Sequence, residues 1–233
     1  MKIKTLYKNL DILKNFCSVD ETRQILHGVF VEPCAAGGLF AVATNGRVIG
    51  IFYDPDGYTD GKYLIDVKRM TRIFDLRPAP SVSCEQEAEE IREDQTYYHD
   101  NYVVVIDDKS LDVFDGDRLV DSSNDLCLLS DADKYPNYKN MLAAKIKPIA
   151  AVNEYVNCNI NPDFLALFAF GEFASDGISL YVADNCKKEK EYLRDPVYVL
   201  NNCDKNFLGL VMPMVGDNKE LSKNFGIEIV KNA

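Results

Sequence analysis

Apolar residues in this chain fall into short blocks whose period switches between helical and extended, and the order of the blocks recurs. Lys2 to Tyr7 reads as a strand and Asn9 to Cys17 as a helix. Three extended runs follow: Gln24 to Glu32 with Val29, Phe30 and Val31 as its core, then Leu39 to Thr44, then Arg47 to Tyr53. Asn45-Gly46 separates the last two and is a hairpin signal, because type I′ turns need positive φ at both central positions. Pro55-Asp56-Gly57 closes this stretch.

A second stretch begins with a strand at Lys62 to Asp66 and continues into a helix over Asp66 to Arg77, with Val67, Met70, Ile73 and Phe74 on its inner face. Strand-like runs come next at Tyr102 to Asp107, at Ser110 to Asp115, and at Arg118 to Asp121 or Leu126 to Ser130. Between helix and strands, Pro78 to Asp100 carries Pro-Ala-Pro and an acidic run, the marks of a loop or exposed excursion. A third stretch has a strand at Val156 to Ile160, a helix start at Asn161-Pro162-Asp163 and an apolar helix through Phe164 to Phe173. Ser179 to Ala183, Val197 to Leu200 and Leu208 to Met212 read as strands, and Asp184 to Tyr192 as a charged hairpin or loop. Strand, helix and several strands met three times predict an α+β fold of duplicated units, with helices on one face of antiparallel sheets.

Composition narrows the functions available. The chain has 233 residues, 47% of them hydrophobic and 27% charged, which suits a globular protein with a sizeable core. No apolar run reaches the roughly 20 residues of a spanning helix, so a cytoplasmic protein without a membrane partner is expected. The seven cysteines are evenly spread, with no C-x-x-C pair and only His27 and His99 to complete a metal site. Reduced thiols, no metal and no cofactor are the expectation. No catalytic residue is nominated either. Gly37-Gly38 lacks the strand-to-helix context of a phosphate cradle, and the carboxylates are too numerous and loop-bound to single out a pair.

The formal net charge of −11 opposes nucleic-acid binding on average, yet DNA responds to the field of one face. The acids crowd Glu85 to Asp94 and Asp107 to Asp117. Lys68, Arg69, Arg72 and Arg77 fall largely on the outer side of the second helix, as a basic stripe or as an ordinary solvated face.

Several segments resemble bacterial and phage DNA sliding clamps, the beta subunit of the replicative polymerase. Asp20 to Glu32 resembles a middle-domain pattern in which a threonine-arginine pair precedes a leucine, a glycine and a strand ending in an acid. Ala43-Thr44-Asn45-Gly46 resembles the family's alanine-threonine-aspartate-glycine turn, with Asn45 replacing the aspartate and Arg47-Val48-Ile49 standing where the family has histidine-arginine-leucine. Tyr135-Pro136-Asn137-Tyr138 is similar to the segment that closes the middle domain. Asn161 to Leu167 resembles the helix start of the last half-domain, and Leu208 to Met214 its closing strand, which ends at methionine-proline-methionine. By this resemblance residues 1–142 form one clamp domain and 143–233 a partial one, giving three helix-and-strand units where a full clamp subunit holds six.

The resemblance implies binding and no bond-making chemistry. A clamp encircles duplex DNA without reading its sequence and tethers a polymerase through a peptide with Leu and Phe anchors. The peptide pocket would use Thr44, Gly46, Arg47, Val48 and Ile49 from one side and Val211, Met212, Pro213 and Met214 from the other, with Lys68, Arg69, Arg72 and Arg77 facing DNA. Thioethers suit such a pocket because they adapt to different ligands. A closed homo-oligomeric ring would need more copies than the family's dimer. The alternative is a monomeric clamp-fold module that binds polymerase, or competes for clamp-binding peptides, without enclosing DNA. The sparse basic residues of the first helix, mainly Lys8 and Lys14, and their absence from Asn161 to Phe173 favour that alternative.

Overall fold

The computed structural model describes residues 1–66, 102–124, 128–129, 131–149, 158–170, 177–186, 188–189, 192–193, 195–202 and 204–214. The chain divides into two compact units, Met1–Pro136 and Asn137–Ala233.

The first unit opens with strand β1 (Ile3–Leu6), helix α1 (Tyr7–Leu13) and a 3-10 turn, Lys14–Phe16. Tyr7, Leu10, Leu13 and Phe16 are buried at helical spacing, which is why this segment coils. A further 3-10 segment, Glu21–Leu26, leads into β2 (Gly28–Pro33), β3 (Leu39–Thr44) and β4 (Val48–Asp54), followed by a short β5 (Tyr58–Thr59). Then come β6 (Tyr63–Asp66), β7 (Tyr102–Ile106), β8 (Leu111–Asp115), β9 (Arg118–Ser123) and β10 (Leu128–Leu129).

These strands form two antiparallel sheets, in the orders β5-β1-β7-β8-β9 and β10-β6-β2-β3-β4. The two orders are reciprocal. β1 and β5, from the first half of the unit, extend the sheet of β7 to β9, whereas β6 and β10, from the second half, extend the sheet of β2 to β4. That exchange is the signature of duplication which the recurring sequence pattern predicts. α1 packs against both sheets. Tyr7 meets Tyr102 of β7 edge to face with ring centroids 6.3 Å apart, and Leu13 and Phe16 lie over Gly50 of β4, where an added Cβ would stand 2.9 Å from Leu13 Cδ2.

Asp54 fastens this arrangement. Its carboxylate, 2% exposed, accepts from Thr5 Oγ1 at 2.8 Å, from the Leu6 backbone N–H at 2.9 Å and from Asn9 Nδ2 at 3.3 Å. The end of β4 thereby supplies an anion to the start of α1, whose own N-cap residue Leu6 offers no capping side chain.

The second unit contains β11 (Ile146–Pro148), the short helix α2 (Pro162–Ala166), β12 (Ile178–Ala183), a small hairpin of β13 (Lys188–Glu189) and β14 (Tyr192–Leu193), β15 (Val197–Asn201) and β16 (Phe207–Val211). Its main sheet is antiparallel in the order β16-β15-β12-β11. Phe168, fully buried, lies on Gly209 of β16, and its neighbour Phe170 meets Phe207 edge to face at 4.7 Å.

The structure corrects three readings of the sequence. Residues 24 to 26 are 3-10 rather than strand, because the Asp20 side chain caps Thr22 N and the His27 N–H closes onto Gln24 O, so β2 starts only at Gly28. The apolar helix expected through Phe173 stops at Ala166. Asn201 Nδ2 donates to the carbonyls of Phe168 and Phe170, which diverts the backbone out of the helix. Of the strand expected at Val156 to Ile160, the described part makes a single bridge, Asn159 with Met214, and at the end toward Ile160 a helix start at Pro162 and the donor-less Pro213 cut the pairing off. Asp184 to Tyr192 turns into the β13–β14 hairpin, and both alternatives after β8 are realised as β9 and β10. The helix of Asp66 to Arg77 and the loop of Pro78 to Asp100, with His99, lie outside the described residues beyond Asp66.

Candidate functional site

The β3–β4 connection is longer than an Asn-Gly turn. Thr44 pairs with Ile49, so four residues, Asn45 to Val48, separate the last paired positions, and the two-residue hairpin expected from the sequence is not what forms. Side chains build the loop instead. Thr44 Oγ1 donates to Val48 O at 2.6 Å and accepts from Gly46 N at 3.0 Å, while Asn45 Oδ1 accepts from Arg47 N at 2.9 Å and Val48 N at 3.1 Å. This is Asx-type closure, in which a short side chain substitutes for the backbone acceptor. The closing acceptor from Asn45 is an amide oxygen and brings no charge.

Within the loop the candidate residues differ in exposure. Thr44 and Ile49 are nearly buried and Val48 is fully so, while Gly46 and Arg47 face solvent. Gly46 has φ +88°, a conformation that favours glycine.

Sequence reasoning missed a neighbour of this loop. Arg23, from the Glu21–Leu26 segment, places its guanidinium against Gly46: a Cβ added there would stand 3.0 Å from Nη1. The threonine-arginine pair at 22 and 23 was the available signal, but only the fold shows where it leads. Arg23 rides on a stiff scaffold. Ser18 N donates to Leu26 O, Asp20 N to Ser18 Oγ, and both the backbone and the hydroxyl of Thr22 to Asp20 Oδ1. His27 Nε2 donates to Asp20 O at 2.6 Å, which puts a ring proton on Nε2. The Thr22 hydroxyl, then the Thr22 amide, hold the Asp20 carboxyl below its ordinary value, with Arg23 and His27 adding to the effect. Val19, at the tip of this segment, is 89% exposed.

On the other side of the same segment, Glu21, Gln24, His27, Asp66 and Leu129 line an open cavity of about 330 Å³. None of the residues nominated from sequence lines it. Cys17 Sγ donates to Leu13 O, and burial, reinforced by Asp66, pushes its thiol up to about 12. Such a thiol stays protonated and unreactive at neutral pH.

In the second unit Val211 ends β16 and is fully buried, Met212 and Pro213 are half-buried, and Met214 is 46% exposed. Met214 N donates to Asn159 O at 2.6 Å, which fixes the end of this segment. Lys68, Arg69, Arg72 and Arg77 lie outside the described residues. Among the described residues no group of three or more His, Cys, Asp or Glu is placed to hold a metal, and no helix is long and apolar enough to cross a membrane. Gly37 and Gly38 form the β2–β3 hairpin turn, where Cys34 N donates to Gly38 O at 3.1 Å.

No protein-family model matches the sequence, nor does any curated protein. Solved structures do. The chain is similar to DNA polymerase III subunit beta from Borrelia burgdorferi, solved in complex with a natural product, at 14% identity and TM-score 0.52, over 92% of this chain and 64% of that one. It is similar to the DNA polymerase sliding clamp from Bacillus subtilis at 13% identity and TM-score 0.51, over 93% of this chain and 65% of the other. DNA polymerase III beta subunit from Thermotoga maritima matches at 13% identity and TM-score 0.52, over 93% and 66%. The chain thus spans less than two thirds of the length of these neighbours, and what it shares with them at such identities is the fold.

Proposed function

From a chain with the fold of DNA sliding clamps, we propose a clamp-like processivity factor that binds rather than catalyses. It tracks or encircles duplex DNA without reading sequence, and it tethers a DNA polymerase, or other proteins bearing clamp-binding peptides, through an apolar pocket. Thr44, Gly46, Arg47, Val48 and Ile49 contribute one part of that pocket and Val211, Met212, Pro213 and Met214 another. Lys68, Arg69, Arg72 and Arg77 are the DNA-facing cations, residues 1–142 and 143–233 the two clamp domains, and the cytoplasm the place of action.

The observation that carries this reading is the β3–β4 loop. Its sequence resembles the clamp turn, and the loop is held by four side-chain hydrogen bonds of Thr44 and Asn45, with Gly46 and Arg47 exposed to solvent. A rigid, solvent-facing turn loses little entropy on capturing an extended peptide. The half-exposed thioethers at the end of β16 supply adaptable apolar surface. Replacing Met212 and Met214 by Ala is expected to weaken a peptide with Leu and Phe anchors at least tenfold, read by fluorescence anisotropy, with an unchanged circular dichroism spectrum. Undiminished binding would place the pocket elsewhere.

A second reading keeps the fold and the peptide pocket but not the ring. The net charge of −11 and the sparse basic residues of the first helix favour a monomeric module that binds polymerase or competes for its peptides. Light scattering on the eluting protein separates the two. A closed oligomer supports a DNA-encircling clamp, and a monomer at every concentration supports the module.

A further inference from the structure

We propose that the cavity lined by Glu21, Gln24, His27, Asp66 and Leu129 is a binding site for a primary alkylammonium group, carried by a free amine or by a lysine side chain. The site stands apart from the peptide pocket and from any contact with DNA. Sheet pairing builds one wall of it. Gly28 of β2 pairs with Asp66 of β6, and Leu64 of β6 with Leu129 of β10, so Asp66 and Leu129 come up beside His27, the residue before β2. The Glu21–Leu26 segment supplies the other wall, with Glu21 and Gln24 three residues apart.

His27 gives the cavity its chemical direction. The residue is 8% exposed, and its Nε2 donates to Asp20 O at 2.6 Å. Nδ1 takes part in no hydrogen bond with the described residues. No buried side-chain nitrogen or oxygen among them lacks a partner, so Nδ1 reaches open space, and the open space that His27 borders is this cavity. A neutral ring with its proton on Nε2 offers a lone pair on Nδ1. A buried residue thus presents an acceptor that no described residue fills.

The rest of the polar lining asks for the same partner. Glu21 is exposed at the rim, and no cation among the described residues pairs with it. Gln24 brings an amide oxygen and Asp66 a second carboxylate. Carboxylates, amide and imidazole together call for a positively charged donor, and they repel phosphate. A metal ion is a poor match, because among the described residues no three of His, Cys, Asp or Glu are placed to hold one. An ammonium makes looser demands: it carries three N–H donors, and each reaches about 2.8 Å to an acceptor of its own. Leu129 offers apolar surface to the methylenes behind the charge. The cavity's volume of about 330 Å³ lies at the low end of ligand pockets, which run from about 300 to 1,000 Å³, and suits a short alkyl chain.

The test follows the full-length protein, labelled with ¹⁵N-histidine, by NMR at a pH where its imidazole nitrogens report the neutral ring. Only His27 and His99 contribute signals, and His99→Gln identifies those of His27. Titration with n-butylamine is expected to move the His27 Nδ1 resonance toward its hydrogen-bonded range and to saturate, whereas n-butanol at the same concentrations leaves it in place. Glu21→Gln, at an exposed position, is expected to weaken the amine at least threefold while the saturated resonance stays the same. Nα-acetyl-lysine amide then separates the two sources. Binding as tight as that of butylamine identifies a lysine side chain as the occupant, and its rejection identifies a free amine. A His27 signal that never saturates, that answers equally to butanol or that is indifferent to Glu21→Gln overturns the site. An equal response to magnesium chloride at matched ionic strength overturns it as well, since the acids would then be collecting any cation.

Discussion

Gly209 leaves no room for a side chain: a Cβ there would stand 2.1 Å from Phe168 Cε1 and 2.6 Å from Cδ1. Phe168 is fully buried, so the ring cannot swing into solvent. Gly209→Ala is therefore expected to cost about 1–3 kcal/mol by urea unfolding, in the range of overpacked cores, and Phe168→Leu in the same background to recover part of it. An additive double variant would mean the strain is absorbed elsewhere. Nothing in the sequence marks Gly209 as different from other strand glycines, because its constraint comes from a residue far along the chain. The Asn45-Gly46 turn was legible only as a turn. The extra two residues of the loop follow from the Thr44 hydroxyl, which accepts from Gly46 N and donates to Val48 O, and so moves the strand pairing to Ile49. Arg23 is marked in the sequence only by its threonine-arginine pair, and its approach to Gly46 needed the fold.

Strands with strong apolar alternation or continuity were readable to the residue or nearly so: β3 ends at Thr44 and β8 at Asp115 as the pattern indicates. β5 and β11 were not. They are two and three residues long, and their identity lies in the partners they pair with, Ile3 and Lys4 for β5 and Tyr181 to Ala183 for β11. α2 was legible at its start, where Asn161 Oδ1 caps Asp163 N and Pro162 occupies the first turn, but not at its end, which Asn201 decides from β15. α1 depends in a similar way on Asp54. Asp54→Ala would strand the Thr5, Leu6 and Asn9 donors, all near a buried carboxylate site, and is expected to cost about 2–4 kcal/mol on the scale of hydrogen bonds to charged groups. Thermal unfolding monitored by far-ultraviolet circular dichroism checks it. A loss under 1 kcal/mol would show that α1 holds its place by packing alone.

The α+β class and the clamp fold were both legible for the molecule as a whole, because the duplicated order of blocks survives even where individual residues have diverged. What the block order did not contain is how the two halves of the first unit are joined. β1 pairs with β7, placing Ile3 opposite Ile106, while β2 pairs with β6, placing Val29 opposite Ile65. Neither half owns a complete sheet. The chain must close a loop of about a hundred residues before β1 finds β7, the longer of its two pairings, which predicts slow, concerted folding. It also makes the molecule divisible. Cut between Gly61 and Lys62, the two pieces would each carry the missing edge of the other, so fragment 1–61 and the 62–136 part of fragment 62–233 are expected to be unstructured when separately expressed and to assemble on mixing, with recovery of the native circular dichroism signal. A fragment 1–61 that folds unaided would contradict this. The same exchange that hides the duplication in the folded protein would thus serve as a built-in affinity between its parts, available for a split reporter that becomes whole only when both halves are made in the same place.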